Sequence, residues 1–400
     1  MALLLSVIAF FTWQPWYIPN LLAKNSIVPL NAHSDSPPYT TRSLLLALAG
    51  QAAHTRSGAS LDSVLQMGQS AISLEEAWLL RSIGPDGEIF QNPDQKQIIP
   101  YFANLSALSL VNSSPADVKD YIDWYLAHLN RKTDVWGFTG TIYDYQVADG
   151  GIVSTDYYDS ADSYAATFLS AVAAYYRVTG DKQFIRDRYA DLELVASVII
   201  DLQNTDGLTW AKPRHYRKYL MDNAEVYRGL KDYAGILDSV GIKQRAHYYL
   251  DAAGRVQEGI LTTLWDEEYQ AFIWALDNHG GKRLVNWGHW YPDVISQVYP
   301  IVTGVLSPDD PRAIRIYDRV NQVFPDWPTF YKTETLPWSV MGYTAFVMGD
   351  NRMAMEILEA AYRMNQEAAR PKSWHALESA FLMLTYQGLA GHLPVKFLAE

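Results

Sequence analysis

The stretch Asp159-Ser160-Ala161-Asp162-Ser163-Tyr164-Ala165-Ala166-Thr167-Phe168-Leu169-Ser170-Ala171-Val172-Ala173-Ala174, closed by Thr179-Gly180-Asp181, decides the fold. From Ala165 to Ala174 it is apolar or small nearly all round, so a helix here needs neighbours on every side. The segment that follows, with Asp187, Arg188, Asp191 and Glu193 in helical register, has one wet face. An inner helix joined to an outer one by a Gly stop and an Asp cap is the repeating unit.

Working outward, the same alternation recurs six times. Charge-bearing first helices are read at roughly 74–83, 115–131, 182–202, 242–265, 310–324 and 351–366; in the second of these, Asp117, Lys119, Asp120 and Asp123 mark the solvent face. Apolar second helices are read at roughly 101–112, 161–179, 222–240, 291–304, 337–349 and 375–388. Six and six pair into a closed all-α toroid, an (α/α)6 array of helical hairpins. Residues 41–72 read as extra N-terminal helices, so the toroid domain is expected over 41–400, behind a hydrophobic segment and linker over 1–40.

The connections differ by type. Inner-to-outer links such as Val347-Met348-Gly349-Asp350 and Ser307-Pro308-Asp309 are short, whereas outer-to-inner links run to a dozen residues or more. Four of the long links share a turn and an aromatic run: Pro85-Asp86-Gly87-Glu88-Ile89-Phe90, Asp134-Val135-Trp136-Gly137-Phe138, Asp206-Gly207-Leu208-Thr209-Trp210 and the segment from Trp265 to Trp274. Long ordered links in a compact domain carry function, and all six emerge above the positive ends of the inner helices.

Composition narrows the chemistry. At 400 residues and 49% hydrophobic content the chain can bury a large core, and its net charge of −12 without a Lys/Arg cluster argues against nucleic acid and anionic membrane surfaces as partners. Absence of cysteine excludes disulfides and thiolate catalysis. Nine histidines without i,i+3 or i,i+4 pairs make a zinc site an unattractive reading, so neither metal nor other cofactor is expected. The segment Ala2-Leu3-Leu4-Leu5-Ser6-Val7-Ile8-Ala9-Phe10-Phe11 is as long as a signal-peptide core but lacks a preceding basic residue. Export or anchoring therefore stands beside a cytoplasmic chain with an apolar packing segment. A monomer is expected.

Thirteen Trp and 27 Tyr concentrate in the long links and at inner-helix starts. Flat rings with a polar edge suit the C–H faces of sugars, which makes Tyr101, Tyr143, Tyr145, Tyr164, Trp210, Trp287, Trp290 and Trp338 candidates for binding carbohydrate, with Asn104, Asp222, Asp293 and Glu378 as polar partners. Each aromatic could equally fill a wide toroid. Carboxyls recur at the same helix starts: Asp159 and Asp162 before and within the second inner helix, Glu225 in the third, Asp144 in the preceding link and Glu334 before the fifth. Plain N-capping competes at Asp159 and Asp162, Asp222 is a natural cap, and Glu225 three residues on is the reciprocal member of a capping box in the competing reading. Glycoside hydrolysis needs two carboxyls, roughly 5 Å apart for retention or about 6.5–9.5 Å for inversion. Adjacent inner helices, roughly 8–10 Å apart, supply such separations. Asp162 or Asp159 together with Glu225 forms the expected pair, with Asp144 in reserve.

The segments Pro100-Tyr101-Phe102-Ala103-Asn104, Tyr121-Ile122-Asp123-Trp124-Tyr125, Thr141-Ile142-Tyr143-Asp144-Tyr145, Asp159 to Phe168 and Leu220-Met221-Asp222-Asn223-Ala224-Glu225-Val226-Tyr227 resemble the six-hairpin glycosidase superfamily over about residues 74–390. The resemblance implies activity on carbohydrate, with an acidic residue near an inner-helix start as proton donor. The same fold carries lyases and epimerases, and His215, Tyr216, Arg217, Tyr219 and Asn223 would suit proton abstraction beside a sugar carboxylate. A carbohydrate-binding protein without turnover is the third expectation.

Overall fold

The structure is a computed structural model that describes residues 61–94, 97–329, 338–367, 370, 371 and 373–391. The apolar segment 2–11, the Pro-rich stretch 25–40, residues 41–60 and Glu334 lie outside the described residues. Outer helices are α1 (Leu61–Leu80), α3 (Pro115–Ala127), the pair α5 (Lys182–Asp187) and α6 (Tyr189–Leu202), α8 (Lys243–Gly259), α10 (Pro311–Val323) and α12 (Asn351–Gln366). Inner helices are α2 (Pro100–Leu110), α4 (Ala161–Thr179), α7 (Leu220–Ser239), α9 (Ile295–Val302), α11 (Val340–Val347) and α13 (Ala376–Leu389).

Each inner helix packs against the next, α2 on α4, α4 on α7, α7 on α9, α9 on α11 and α11 on α13, and α13 returns to α2. The ring is closed, as the charge contrast between the two helix sets requires. In α4 every residue from Ala161 to Tyr175 is buried, whereas α3 buries only the stripe Val118, Tyr121, Ile122, Trp124, Tyr125 and Leu126. Close approach in the inner ring depends on small residues: a Cβ on Gly229 of α7 would strike the backbone of Ala166 in α4.

Two sequence readings change. Residues 61–73 belong to the first outer helix and are continuous with 74–80, so the extra helical segment does not begin there. The third outer helix breaks at Arg188 into α5 and α6.

Three long links open with one and the same turn. The N–H of Gly84 donates to Glu88 O, that of Asp134 to Phe138 O and that of Asn204 to Leu208 O, while Gly87, Gly137 and Gly207 donate back to Gly84, Asp134 and Asn204. Those last glycines have φ of +91°, +90° and +84°. Gly87 also lies against the next outer helix, where a Cβ would come 2.7 Å from the Asp120 backbone, and Gly207 meets the Arg255 carbonyl in the same way. At Gly87 and Gly207 the turn therefore sets how the hairpin rests on its neighbour, while Gly137 faces open space. In the fourth link Gln270 takes the left-handed position at φ 51°, with Asp266 Oδ1 accepting from Glu268 and Tyr269 N–H. Short strands complete the links: β1 (Gln97–Ile98), β2 (Tyr145–Ala148) and β3 (Gly151–Ser154) form one antiparallel sheet, and β4 (Arg217–Tyr219) pairs with Ala275–Asp277 in another.

Candidate active site

The inner-helix starts converge at one mouth. From α2, the Tyr101 hydroxyl donates to Glu225 Oε1 of α7 at 2.6 Å and lies 3.3 Å from the Tyr299 hydroxyl of α9. The Tyr101 ring also stacks at 6.5 Å on Tyr164 of α4, whose hydroxyl donates to Asp144 Oδ1 at 2.9 Å. Three inner helices thus share one polar network, and α4 joins it through the stacked rings of Tyr101 and Tyr164.

Backbone geometry explains which carboxyls face it. Strand β4 runs directly into α7, whose N-cap is Tyr219, so Asp222 is the third residue of the helix and not its cap. That leaves Asp222 and Glu225 one turn apart on one helix face. Likewise Ser160 caps α4, and Asp159 stays outside the helix and exposed. The charge of Asp159 acts on Asp144, Lys212, His215, Tyr219, Asp222 and Tyr291, which centres it in the mouth.

Burial dominates the electrostatics. It lifts Asp222 to about 7, opposed by the Ser160 hydroxyl and reinforced by Asp159. Asp144 rises to about 7 for the same reason, against the Tyr164 hydroxyl. Glu225 is pushed well above the ordinary carboxyl range, despite its hydrogen bond from Tyr101. Lys212 is lowered by burial while Asp159, Asp144 and Asp222 pull it back; its Nζ donates to Tyr158 O at 2.9 Å and Tyr157 Oη at 3.1 Å. One oxygen stands out: Asp222 Oδ2 is buried and takes no hydrogen bond.

Several expected site residues lie elsewhere. Asp162 is fully buried, with Oδ2 accepting from Thr209 Oγ1 at 2.6 Å and Oδ1 from Ser163 N at 2.8 Å. Thr209 N–H in turn donates to Asn223 Oδ1, so Asp162 ties the third link to α4 and α7 behind the mouth. Tyr143 and Tyr145, expected to line the cleft, are core residues instead. Tyr143 accepts from Val135 N–H and stacks on Tyr158, and Tyr145 packs on Trp124 and His128 of the second outer hairpin. Their alternating strand pattern turned them inward. Asn104 is buried between Tyr121, Tyr164 and Thr167. Asp293 fastens the loop before α9 through Asn286 N–H and His289 Nδ1. Glu378 is buried and accepts from Trp338 N–H, Ser339 N–H and Ser339 Oγ, which anchors the start of α11; burial brings it to about 7. Trp210, Trp287 and Trp290 are half-buried, Trp210 beneath Lys218 Nζ at 4.4 Å and Trp290 against Phe324 at 4.8 Å.

His375 and Tyr299, which the sequence did not single out, complete the mouth together with Tyr291. Tyr291, half exposed, stacks on Trp338 at 4.4 Å; His375, before α13, stacks on Phe102 at 4.4 Å. Tyr299 sits mid-helix among apolar residues, and nothing local distinguishes it. Among the described residues no group of His, Asp and Glu is placed to hold a metal ion, and no described helix is long and apolar enough to cross a membrane.

No protein-family profile matches the chain, and no curated protein matches it in sequence. Solved structures do match its fold. A glycosidase variant in complex with glucose superposes with a TM-score of 0.60 at 14% identity, covering 84% of this chain and 100% of that one. A rhamnosidase from Klebsiella oxytoca with rhamnose bound gives 0.58 at 12%, covering 82% and 64%, and a GH63 mannosylglycerate hydrolase from Thermus thermophilus in complex with glucose gives 0.53 at 10%, covering 80% and 99%. The chain has the six-hairpin toroid of these glycosidases.

Proposed function

We propose that the chain is a glycoside hydrolase working at this mouth, with Asp222 as proton donor and Asp159 as the opposing carboxylate. The observation that carries it is Asp222 Oδ2, buried, without a partner, on a carboxyl raised to about 7. A proton held there has no internal acceptor and is available to a glycosidic oxygen entering the mouth. Exposed Asp159, hydrogen-bonded with the Tyr157 side chain, would activate water or attack carbon, and Glu225, fixed by Tyr101, would hold a sugar hydroxyl one helical turn below. The glycosidases of like fold add support at the level of architecture.

A second reading rests on His215, whose Nε2 lies 3.1 Å from the Tyr219 hydroxyl and whose imidazole is lowered by burial, then by Lys212 and Arg217. Such a pair could abstract a proton as a lyase does. Incubation with a panel of oligosaccharides and aryl glycosides separates the two: a hydrolase releases reducing ends or aglycone without ultraviolet-absorbing unsaturated sugar, and a lyase releases the unsaturated product.

A further inference from the structure

We infer that the side of the mouth formed by the starts of α11 and α13 is a subsite for an uncharged sugar unit, hydrogen-bonded by Trp338 and His375 and selective against the matching uronic acid. The inference rests on the carbohydrate reading above and names the class of sugar.

It begins from two buried polar atoms. Trp338 and His375 are each 5% exposed, and neither Trp338 Nε1 nor His375 Nδ1 has a hydrogen-bond partner. Leaving such groups unpaired is costly unless a ligand or water completes them. Neighbouring contacts place both on the mouth. Tyr291 stacks on Trp338 and feels the charges of Asp159, Asp222 and Glu225; His375 stacks on Phe102, next in sequence to Tyr101, which holds Glu225. Glu378 joins the two halves, accepting from Trp338 N–H at 3.1 Å while its own N–H donates to His375 O at 3.0 Å.

The donor set selects the ligand. An indole N–H can only donate, and an imidazole kept neutral by burial, which lowers it to about 4, offers a ring nitrogen that donates or accepts by tautomer. Neutral donor and adaptable nitrogen match sugar hydroxyls, which do both. A carboxylate asks for two donors or a cation. This side of the mouth offers neither: its unpaired polar atoms are one indole donor and one adaptable ring nitrogen, and Lys212 Nζ is already bonded to Tyr157 and Tyr158. Half-exposed Tyr291 supplies a ring face for the sugar's C–H groups.

The test is titration of the full chain by calorimetry with D-glucose, D-mannose, D-galactose and L-rhamnose, and with D-glucuronate, D-mannuronate and D-galacturonate. Trp338→Phe and His375→Phe are titrated in parallel; both keep a ring for stacking and lose the polar atom, and melting curves certify folding. At least one neutral sugar should bind, its uronate tenfold or more weaker where one exists in the panel, and each variant should lose tenfold or more for the neutral sugar. Equal or tighter binding of the uronates, neutral sugars bound by both variants as by the parent, or no neutral sugar bound at all, would overturn the inference. Hydrolysis is read separately: binding of this pattern without released reducing ends sinks the hydrolase reading alone, and hydrolysis without this discrimination sinks the subsite alone.

Discussion

Tyr101 Oη donates to Glu225 Oε1 at 2.6 Å, joining the first inner helix to the third across the mouth of the toroid. Tyr101→Phe removes that donor from a carboxyl that burial already lifts. The loss of one such bond should lower stability by about 1 kcal/mol. Sugar binding should weaken more than the chemical step, so KM rises with kcat held within a few fold; steady-state kinetics and a melting curve check both.

Asp162 offers the contrast of a carboxyl that holds the scaffold together. Asp162→Ala strands Ser163 N–H and leaves Thr209 Oγ1 only its longer bond to Asn223 Oδ1 at 3.2 Å, in a dry setting, which should cost about 1–3 kcal/mol. Chemical denaturation measures it. The folded fraction should keep turnover within tenfold of the parent, whereas a loss of a hundredfold or more would make Asp162 catalytic.

The turn that seats the third link on the next outer helix should be as sensitive. Gly207→Ala places a Cβ against the Arg255 carbonyl at φ +84°. Strain there should cost about 1–3 kcal/mol. Gly235→Ala, on a helix with open space around it, should be neutral or mildly stabilising. Paired melting curves decide.

Stability should follow pH through Asp222. Its carboxyl moves from an ordinary 3.8 to about 7 on folding, so between those values the folded chain binds the extra proton and stability falls as pH rises, levelling above about 7. Asp144 and Glu378 act in the same direction; His375, lowered to about 4, acts oppositely between about 4 and 6.5. Subtracting two curves isolates Asp222: the melting temperature of Asp222→Asn minus that of the parent should grow from pH 4 to pH 7 and then stay constant. Parent turnover should decline above pH 7 as the proton donor ionises.

The architecture was legible because burial leaves a periodic mark. The unbroken apolar run of Ala165 to Ala174 and the spaced charges of Asp117 to Asp123 distinguish inner from outer helices without reference to any partner, and Asp-Gly turns mark the links. The start of α1 was missed because Ser63 to Ser73 mixes polar and apolar residues without a clear stripe. At the site, local pattern named the right segments and misassigned roles within them. Asp162 reads as a first-turn acid facing the cleft mouth, yet its partner Thr209 arrives from a link 47 positions away. Asp222 reads as a cap because nothing local shows that β4 enters α7 at Tyr219. Trp338 is legible as a binding aromatic, but His375 acquires meaning only when the ring closes α13 onto α2.

Asp222 is proposed to deliver the proton in hydrolysis. Its most direct test is Asp222→Asn, assayed for reducing ends on the best glycoside of the panel with a melting curve on the same sample. The rate should fall a hundredfold or more, with the melting temperature unchanged or raised because a buried carboxyl oxygen without a partner has been neutralised. Turnover within tenfold of the parent in a folded Asp222→Asn chain would contradict it.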